Sequence, residues 1–310
     1  MQKIKLKKTD LEISRIGLGT NAVGGHNLYS ALDEEQGGAL VREALSQGIT
    51  FFDTADAYGL GRSEELLGEE LRGKRQDVII ATKGAIQNGA DGSRKINNRP
   101  EYLRAALEAS LKRLSTDYVD LYYIHYVDPE VPLAESVGAL ERLREEGKIR
   151  AIGLSNATPE QLKEANQSGA LSAYQGAYNL LQREAEAELL PYCVEAGIAF
   201  IPYGPLAFGI LGGKYSLDFK LSPEDWRNKV ALFNETQFKE NLHRVSRLKM
   251  IADEKNTILP NLALAWLLHQ KGVDAVIPGG KRPEQVAENV KAGLVTLIDE
   301  DLIKIQNAVK

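Results

Sequence analysis

Cysteine is almost missing from this sequence: Cys193 is the only one in 310 residues. No internal disulfide can form, so a reducing cytoplasm is the natural compartment. A surplus of positive charge is missing too. Lys and Arg number 38 against 43 Asp and Glu, the net charge is −5, and no basic block occurs. Nucleic acids and anionic membranes are gripped by clustered Lys and Arg, so neither is an expected partner. Residues 1–10 alternate Lys with apolar residues and contain no apolar stretch of the kind a signal peptide carries. Metal-binding spacing is absent as well. His26, His125, His243 and His269 form neither H-x-H nor H-E-x-x-H, and one cysteine cannot build a thiolate site. No G-x-S-x-G elbow occurs.

Long apolar runs are represented by one stretch, 196–213, which carries no charge over eighteen residues and so meets the bare length for a membrane span. It contains Pro202, Pro205 and five glycines, each of which weakens a helix. It reads as a buried strand followed by a sharp loop.

What the chain does contain is repetition. Short apolar, β-branched runs lie at 16–18, 50–53, 78–83, 118–125, 149–155, 173–175, 199–202 and 275–278. Helical stripes separate them, such as Leu103, Leu107, Leu111 and Leu114, or Leu133, Val137, Leu140 and Leu143. Thr158, Pro159 and Gln161 spell a capping box with Pro at the first helical position, and Asp33 with Gln36 looks similar. Strands alternating with helices demand parallel crossovers. Eight such units point to an α/β fold, a (β/α)8 TIM barrel spanning 1–310 as one domain, with a doubly wound open sheet as the competitor. Outside the repeat, residues 3–6 and 11–14 suggest an N-terminal β-hairpin, 203–274 leaves room for a loop and an extra helix near 237–255, and 299–308 reads as a closing helix.

In such a barrel the site is built at the C-terminal strand ends. Those positions hold Asp53, Lys83, His125, Ser155, Asn156, Gln175 and Tyr203, with Tyr58 in the loop after Asp53. Singly, Asp53 and Lys83 read equally as a structural ion pair and His125 as a core histidine. Together, a Tyr, a Lys, an Asp and a His make a proton-donating group. A phenol ionises near 10, so a neighbouring cation is needed to ease loss of its proton. A fall from about 10 to about 7 represents about 4 kcal/mol, and Lys83, held by Asp53, is placed to supply it.

Gly17, Gly19 and Ala22 fit G-x-G-x-x-A, but no helix follows and the acidic strand end expected about 20 residues on is absent. Gly212-Gly213-Lys214 fails as a phosphate loop because Phe208 and Tyr215 stand at required Gly and Ser/Thr positions. Pro278-Gly279-Gly280-Lys281-Arg282 leads into a helix with Pro283 in its first turn. It offers backbone N–H groups beside a basic side chain where barrels commonly hold phosphate, or else a basic helix start facing solvent. Lys281 would favour a 2′-phosphate, hence NADP(H).

The sequence resembles the aldo-keto reductase family over essentially its whole length. The resemblance is carried by Gly17-Leu18-Gly19-Thr20, the run from Asp53 to Gly59, Ala81-Thr82-Lys83, the run from Asp120 to His125, Gly153-Leu154-Ser155-Asn156, Gln175, Tyr203-Gly204-Pro205-Leu206, and Ile277-Pro278-Gly279 with Gln285, Glu288 and Asn289. Within the family it is most similar to bacterial reductases of inositol-utilisation operons, and more distantly to potassium-channel β-subunits. The resemblance implies reduction of a small-molecule carbonyl substrate with NADP(H), by hydride transfer; apart from it, a monomer is the default expectation. Tyr58 would be the general acid, Lys83 and Asp53 would tune it, and His125 would orient the carbonyl. Ser155, Asn156 and Gln175 would hold the nicotinamide, Tyr203 would stack on it, and Gly19, Thr20, Asn21 and Asp53 would also be among the cofactor-binding residues. Gly204, Pro205, Leu206, Ala207, Lys214 and Arg227 would cover the pyrophosphate, and Gly279, Lys281, Gln285, Glu288 and Asn289 would hold the adenosine end. Asn21 stands where many members carry Trp, and Gln285 where many carry Arg. His26, Tyr29, Tyr126, Phe208 and Trp226 are candidate pocket walls. A cofactor-binding regulatory module and a non-redox phosphate-handling barrel are the competing functions.

Overall fold

The computed structural model describes residues 1–29, 31–89 and 93–310. Its strands are β1 (Lys3–Lys5), β2 (Glu12–Ser14), β3 (Leu18–Gly19), β4 (Phe51–Asp53), β5 (Ile79–Gly84), β6 (Ile86–Asn88), β7 (Arg94–Ile96), β8 (Val119–Ile124), β9 (Ile149–Ser155), β10 (Leu171–Ala177) and β11 (Ala199–Tyr203). The helices are α1 (Glu34–Ser46), α2 (Arg62–Glu70), α3 (Pro100–Leu114), α4 (Leu133–Glu145), α5 (Pro159–Ala165), α6 (Leu189–Ala196), α7 (Glu235–Glu254), α8 (Leu259–His269), α9 (Pro283–Val290) and α10 (Asp299–Ala308).

Seven strands form one parallel sheet in the order β11-β10-β9-β8-β5-β4-β3. The expected eighth strand at 275–278 forms no ladder. An extended segment closes the sheet by single bridges instead, Phe200 to Val273 on one side and Ile16 to Val276 on the other. Backbone bonds from Val276 N–H to the Arg15 carbonyl (2.9 Å) and from Gly17 N–H to the Val276 carbonyl (2.8 Å) complete the seam, giving the (β/α)8 barrel. The seam needs a bare backbone, because a Cβ on Gly19 would lie 2.8 Å from the Ile277 carbonyl oxygen.

Alternation along each strand decides what the barrel contains. Ile79, Ala81, Leu121, Tyr123, Ala151, Ala173, Ala199, Ile201, Ala275 and Ile277 form an inner core with Phe51. Leu6, Leu11 and Ile13 of the β1–β2 hairpin region belong to the same cluster. The intervening residues, such as Ile80, Tyr122, Ile152 and Phe200, pack outward against the helices. The period of two then places Asp53, Lys83, His125, Ser155, Gln175 and Tyr203 inward at or near the ends of their strands.

The helical stripes at Leu103, Leu107, Leu111 and Leu114 and at Leu133, Val137, Leu140 and Leu143 are buried. Thr158 and Gln161 form the reciprocal capping box. Asp33 caps α1 through the Glu35 N–H, one residue earlier than a box requires. The segment after β11 contains α7, the extra helix expected near 237–255, followed by α8, the helix of the repeat itself. The uncharged run is the end of α6, strand β11 and a short 3₁₀ turn at Ala207–Gly212. Among the described residues, no helix is long and apolar enough to cross a membrane.

Candidate active site

The inward strand ends open into a cleft of about 1350 Å³. That exceeds the few hundred to about 1,000 Å³ usual for a small-ligand pocket and suits a dinucleotide with a second small molecule. At its floor Lys83, fully buried, donates to Asp53 Oδ1 at 2.5 Å and to the Thr54 carbonyl at 2.7 Å. The other Asp53 oxygen accepts from Gln175 Nε2 at 2.8 Å. Strand pairing brings them together: β4 pairs with β5, placing Asp53 opposite Ala81, one inward position before Lys83.

Tyr58 begins a 3₁₀ turn whose next residues, Gly59 and Leu60, are left-handed with φ of 62° and 56°. A Cβ at Gly59 would fall 1.9 Å from the Gly24 carbonyl oxygen, so this turn requires glycine. Asn27 fastens it, accepting from the Gly59 N–H at 2.7 Å and donating to the Ala57 carbonyl at 2.9 Å. The Tyr58 ring then lies 5.1 Å from the Lys83 ammonium and edge-on to His125, with centroids 6.2 Å apart.

The electrostatics differ from the sequence expectation. Burial raises the Tyr58 pKa above its ordinary value, outweighing the downward pull of Lys83 by charge and hydrogen bonding; Asp53 adds to the rise. Burial would lower the Lys83 pKa, but Asp53 and Tyr58 outweigh it and hold the ammonium above its usual range. The protein therefore keeps a protonated phenol beside a firm cation, not a phenolate at neutral pH. Burial, then the charges of Lys83 and Arg94, hold His125 well below the usual imidazole range, so it is neutral. Its buried Nδ1 has no partner among the described protein groups.

Along one wall, Ser155 Oγ donates to the Gln175 carbonyl at 3.0 Å and Asn156 Nδ2 to the His125 carbonyl at 3.0 Å. Tyr203 donates from its hydroxyl to Asn156 Oδ1 at 2.9 Å, so this amide is already engaged by the protein. Thr20 Oγ1 donates to the Asp53 carbonyl at 3.0 Å, and Asn21 lies beside Gly279. Gly204, Pro205, Leu206 and Lys214 line the next section, where a Cβ at Gly212 would meet open space. Arg227 lines the cleft too, but its guanidinium is committed to Asp225 at 2.6 Å and to the Tyr215 hydroxyl at 2.8 Å. Ala207 is fully buried under the loop and does not line the cleft. Its φ of 49° bends the backbone instead.

At the far end Gly279, Lys281, Gln285, Glu288 and Asn289 line the cleft. The Lys281 ammonium sits 4.4 Å over the Tyr29 ring, and Gln285 Oε1 accepts from the backbone N–H groups of Lys281 (2.8 Å) and Arg282 (3.1 Å). Glu288 pairs with Lys291 at 2.5 Å. Tyr29, Tyr126, Phe208 and Trp226 form walls; His26 does not, its imidazole turning to Glu34 at 3.0 Å. Sequence reasoning missed Asn27, whose only signal was an Asx-type residue before a Gly-rich turn. It also missed Ile86 and Arg94, from a hairpin in a polar segment. The glycine-lined backbone, the amide wall and the length of the cleft fit a nicotinamide dinucleotide.

The sequence profile of the Aldo/keto reductase family matches residues 15–310. The aldo-keto reductase YhdN of Bacillus subtilis is 39% identical over 304 residues, covering 97% of this chain and 91% of that protein. An Escherichia coli protein named NADH-specific methylglyoxal reductase is 36% identical over 315 residues, 97% of this chain and 96% of its own. Among solved structures, a glycerol dehydrogenase from Gluconobacter oxydans superposes with a TM-score of 0.92 at 30% identity, covering 99% of this chain and 94% of the other. With the Tyr58, Lys83, Asp53 and His125 group at the mouth of a closed parallel barrel, these matches establish that the chain belongs to the aldo/keto reductase family.

Proposed function

We propose that this oxidoreductase reduces aldehydes and ketones to alcohols with NADPH, using Tyr58 as the general acid. The observation that carries the reading is the buried Lys83–Asp53 pair beneath Tyr58, beside neutral His125, at one end of a dinucleotide-sized cleft.

A nicotinamide dinucleotide held in this cleft would supply the hydride for the carbonyl carbon. In our reading Ser155, Asn156 and Gln175 hold its carboxamide and Tyr203 faces its ring. Gly19, Thr20 and Asn21 border it. Gly204, Pro205, Leu206, Lys214 and Arg227 cover the pyrophosphate. Gly279, Lys281, Gln285, Glu288 and Asn289 hold the adenosine end.

The chain's own groups handle the proton. Tyr58 donates its hydroxyl proton to the carbonyl oxygen as negative charge develops there. Its raised pKa keeps that proton in place until it is needed. Lys83, fixed by Asp53 and the Thr54 carbonyl, then stabilises the phenolate left behind. His125, uncharged, orients the carbonyl without competing as an acid. General acid catalysis of this kind contributes about 10²–10⁴-fold.

Lys281 is the cation we assign to a 2′-phosphate. Gln285, capping the Lys281 and Arg282 N–H groups, takes backbone donors that a phosphate could otherwise use. This favours a modest NADPH preference over a strict one. Within the family we place the chain with the bacterial inositol-operon type, acting as a monomer in the cytoplasm. Initial rates of NADPH oxidation over a panel of aldehydes, ketones and sugars, with NADH in parallel, test the reading. Carbonyl-dependent oxidation is expected, and its absence across the panel would overturn it.

A further inference from the structure

The carbonyl-reductase reading leaves open which carbonyls the cleft selects, and the β6–β7 hairpin bears on that choice. In its register Ile86 pairs with Ile96, Gln87 with Lys95 and Asn88 with Arg94. Opposed residues, and residues two apart along a strand, share a face. Ile86, Ile96, Asn88 and Arg94 therefore share one face, while Gln87 and Lys95 share the other. Ile86 and Arg94 both line the cleft, as do His125 and Tyr126.

The hairpin is anchored at its base. Tyr102 donates its hydroxyl proton to the Ile86 carbonyl at 2.8 Å, the Asn97 N–H donates to the Ala85 carbonyl at 3.0 Å, and Asn97 Nδ2 donates to Gln87 Oε1 at 2.8 Å. Arg94 pairs with Asn88 at the other end of this short ladder, where it is exposed, and its charge is felt at His125.

Arg104, Arg113, Arg183 and Arg227 each meet a carboxylate, whereas Arg94 meets none among the described residues. The acidic residues of the cleft are engaged or elsewhere. Asp53 is held by Lys83 and Gln175, Asp253 is on α7, and Glu284 and Glu288 are on α9. Ile86 and the Tyr126 ring, stacked on His125 at 5.0 Å, line the same cleft and offer an apolar surface to a short carbon chain.

We propose that this reductase selects carbonyl compounds bearing an anionic group, a carboxylate or a phosphate, which Arg94 binds while Tyr58 and His125 hold the carbonyl oxygen. Arg94 is then the specificity determinant at the substrate end, separate from the cations at the adenosine end.

Initial rates with two matched pairs test this: 4-oxobutanoate against butanal, and glyceraldehyde 3-phosphate against glyceraldehyde. A charge-assisted contact in a half-open cleft predicts about ten-fold higher kcat/KM for the anionic member of at least one pair, chiefly through KM. The pair that shows it distinguishes carboxylate from phosphate. In Arg94→Gln the anionic-to-neutral ratio falls toward one, Arg94→Lys regains part of it, and Lys95→Gln, on the opposite face of the hairpin, retains it. Unchanged urea midpoints confirm that the variants fold. Neutral turnover with no anion preference, or a preference that survives in Arg94→Gln, would sink the proposal alone. No turnover of any carbonyl would overturn the reductase reading and the proposal with it.

Discussion

Replacing Lys83 with Met isolates what the buried pair contributes to folding from what it contributes to catalysis. Lys83 has no exposed surface and Asp53 is 2% exposed, with charged atoms 2.5 Å apart. At an effective dielectric of about 20, two unit charges at that distance attract by about 7 kcal/mol. Burying each ion costs several kcal/mol, so the intact pair is close to neutral in the balance. Removing one partner is different. Asp53 would keep the Gln175 bond but lose its cation, and the Thr54 carbonyl would lose its donor. A loss of about 3–5 kcal/mol is expected, a fall of about 10 °C in Tm. The double variant Lys83→Met/Asp53→Leu should regain at least about 2 kcal/mol, since no unpaired charge remains. Urea unfolding followed by circular dichroism measures both, and neither variant should turn over. A cost below about 1 kcal/mol for Lys83→Met, or a double variant no more stable than the single, would refute the argument.

Asp56 offers a test by pH. Burial above all, with the charge of Glu64, pushes its carboxyl up to about 8 against opposing pulls from Arg113, the Ala57 N–H and Lys83. A raised folded pKa gives stability that is complete below about 4 and is lost as pH rises toward 8, by up to about 1.4 kcal/mol per pH unit. Asp56→Asn should flatten that slope between about pH 5 and 7; an unchanged slope would show that Asp56 is already ionised there. Gly19→Ala should cost about 1–3 kcal/mol, because its Cβ would meet the Ile277 carbonyl at the barrel seam. A melting curve matching the wild type would mean that the seam yields freely.

The barrel was legible because β-branched runs and helical stripes recur, and because inward alternation carries a polar residue to or near six of the eight strand ends. Asp53, Lys83, His125, Ser155, Gln175 and Tyr203 follow from that rule. The eighth strand was over-read, since apolar composition at 275–278 cannot distinguish a full ladder from single bridges at Val273 and Val276. The Tyr58 pKa was misjudged in direction because spacing reveals a neighbouring cation but not the depth of burial. Ala207 carried a loop motif but points its surface into the core. Arg94 was missed because three-residue strands in a polar segment give no periodic signal. The Gln285 cap was hidden because side-chain-to-backbone bonding depends on a rotamer.

The central claim is that Tyr58 donates the proton, and Tyr58→Phe tests it most directly. The substitution keeps the ring beside Lys83 and removes only the hydroxyl. NADPH binding followed by fluorescence should be nearly unchanged, while kcat for a carbonyl substrate should fall by about 10²–10⁴-fold. Turnover within about ten-fold of wild type, with cofactor binding intact, would contradict the account.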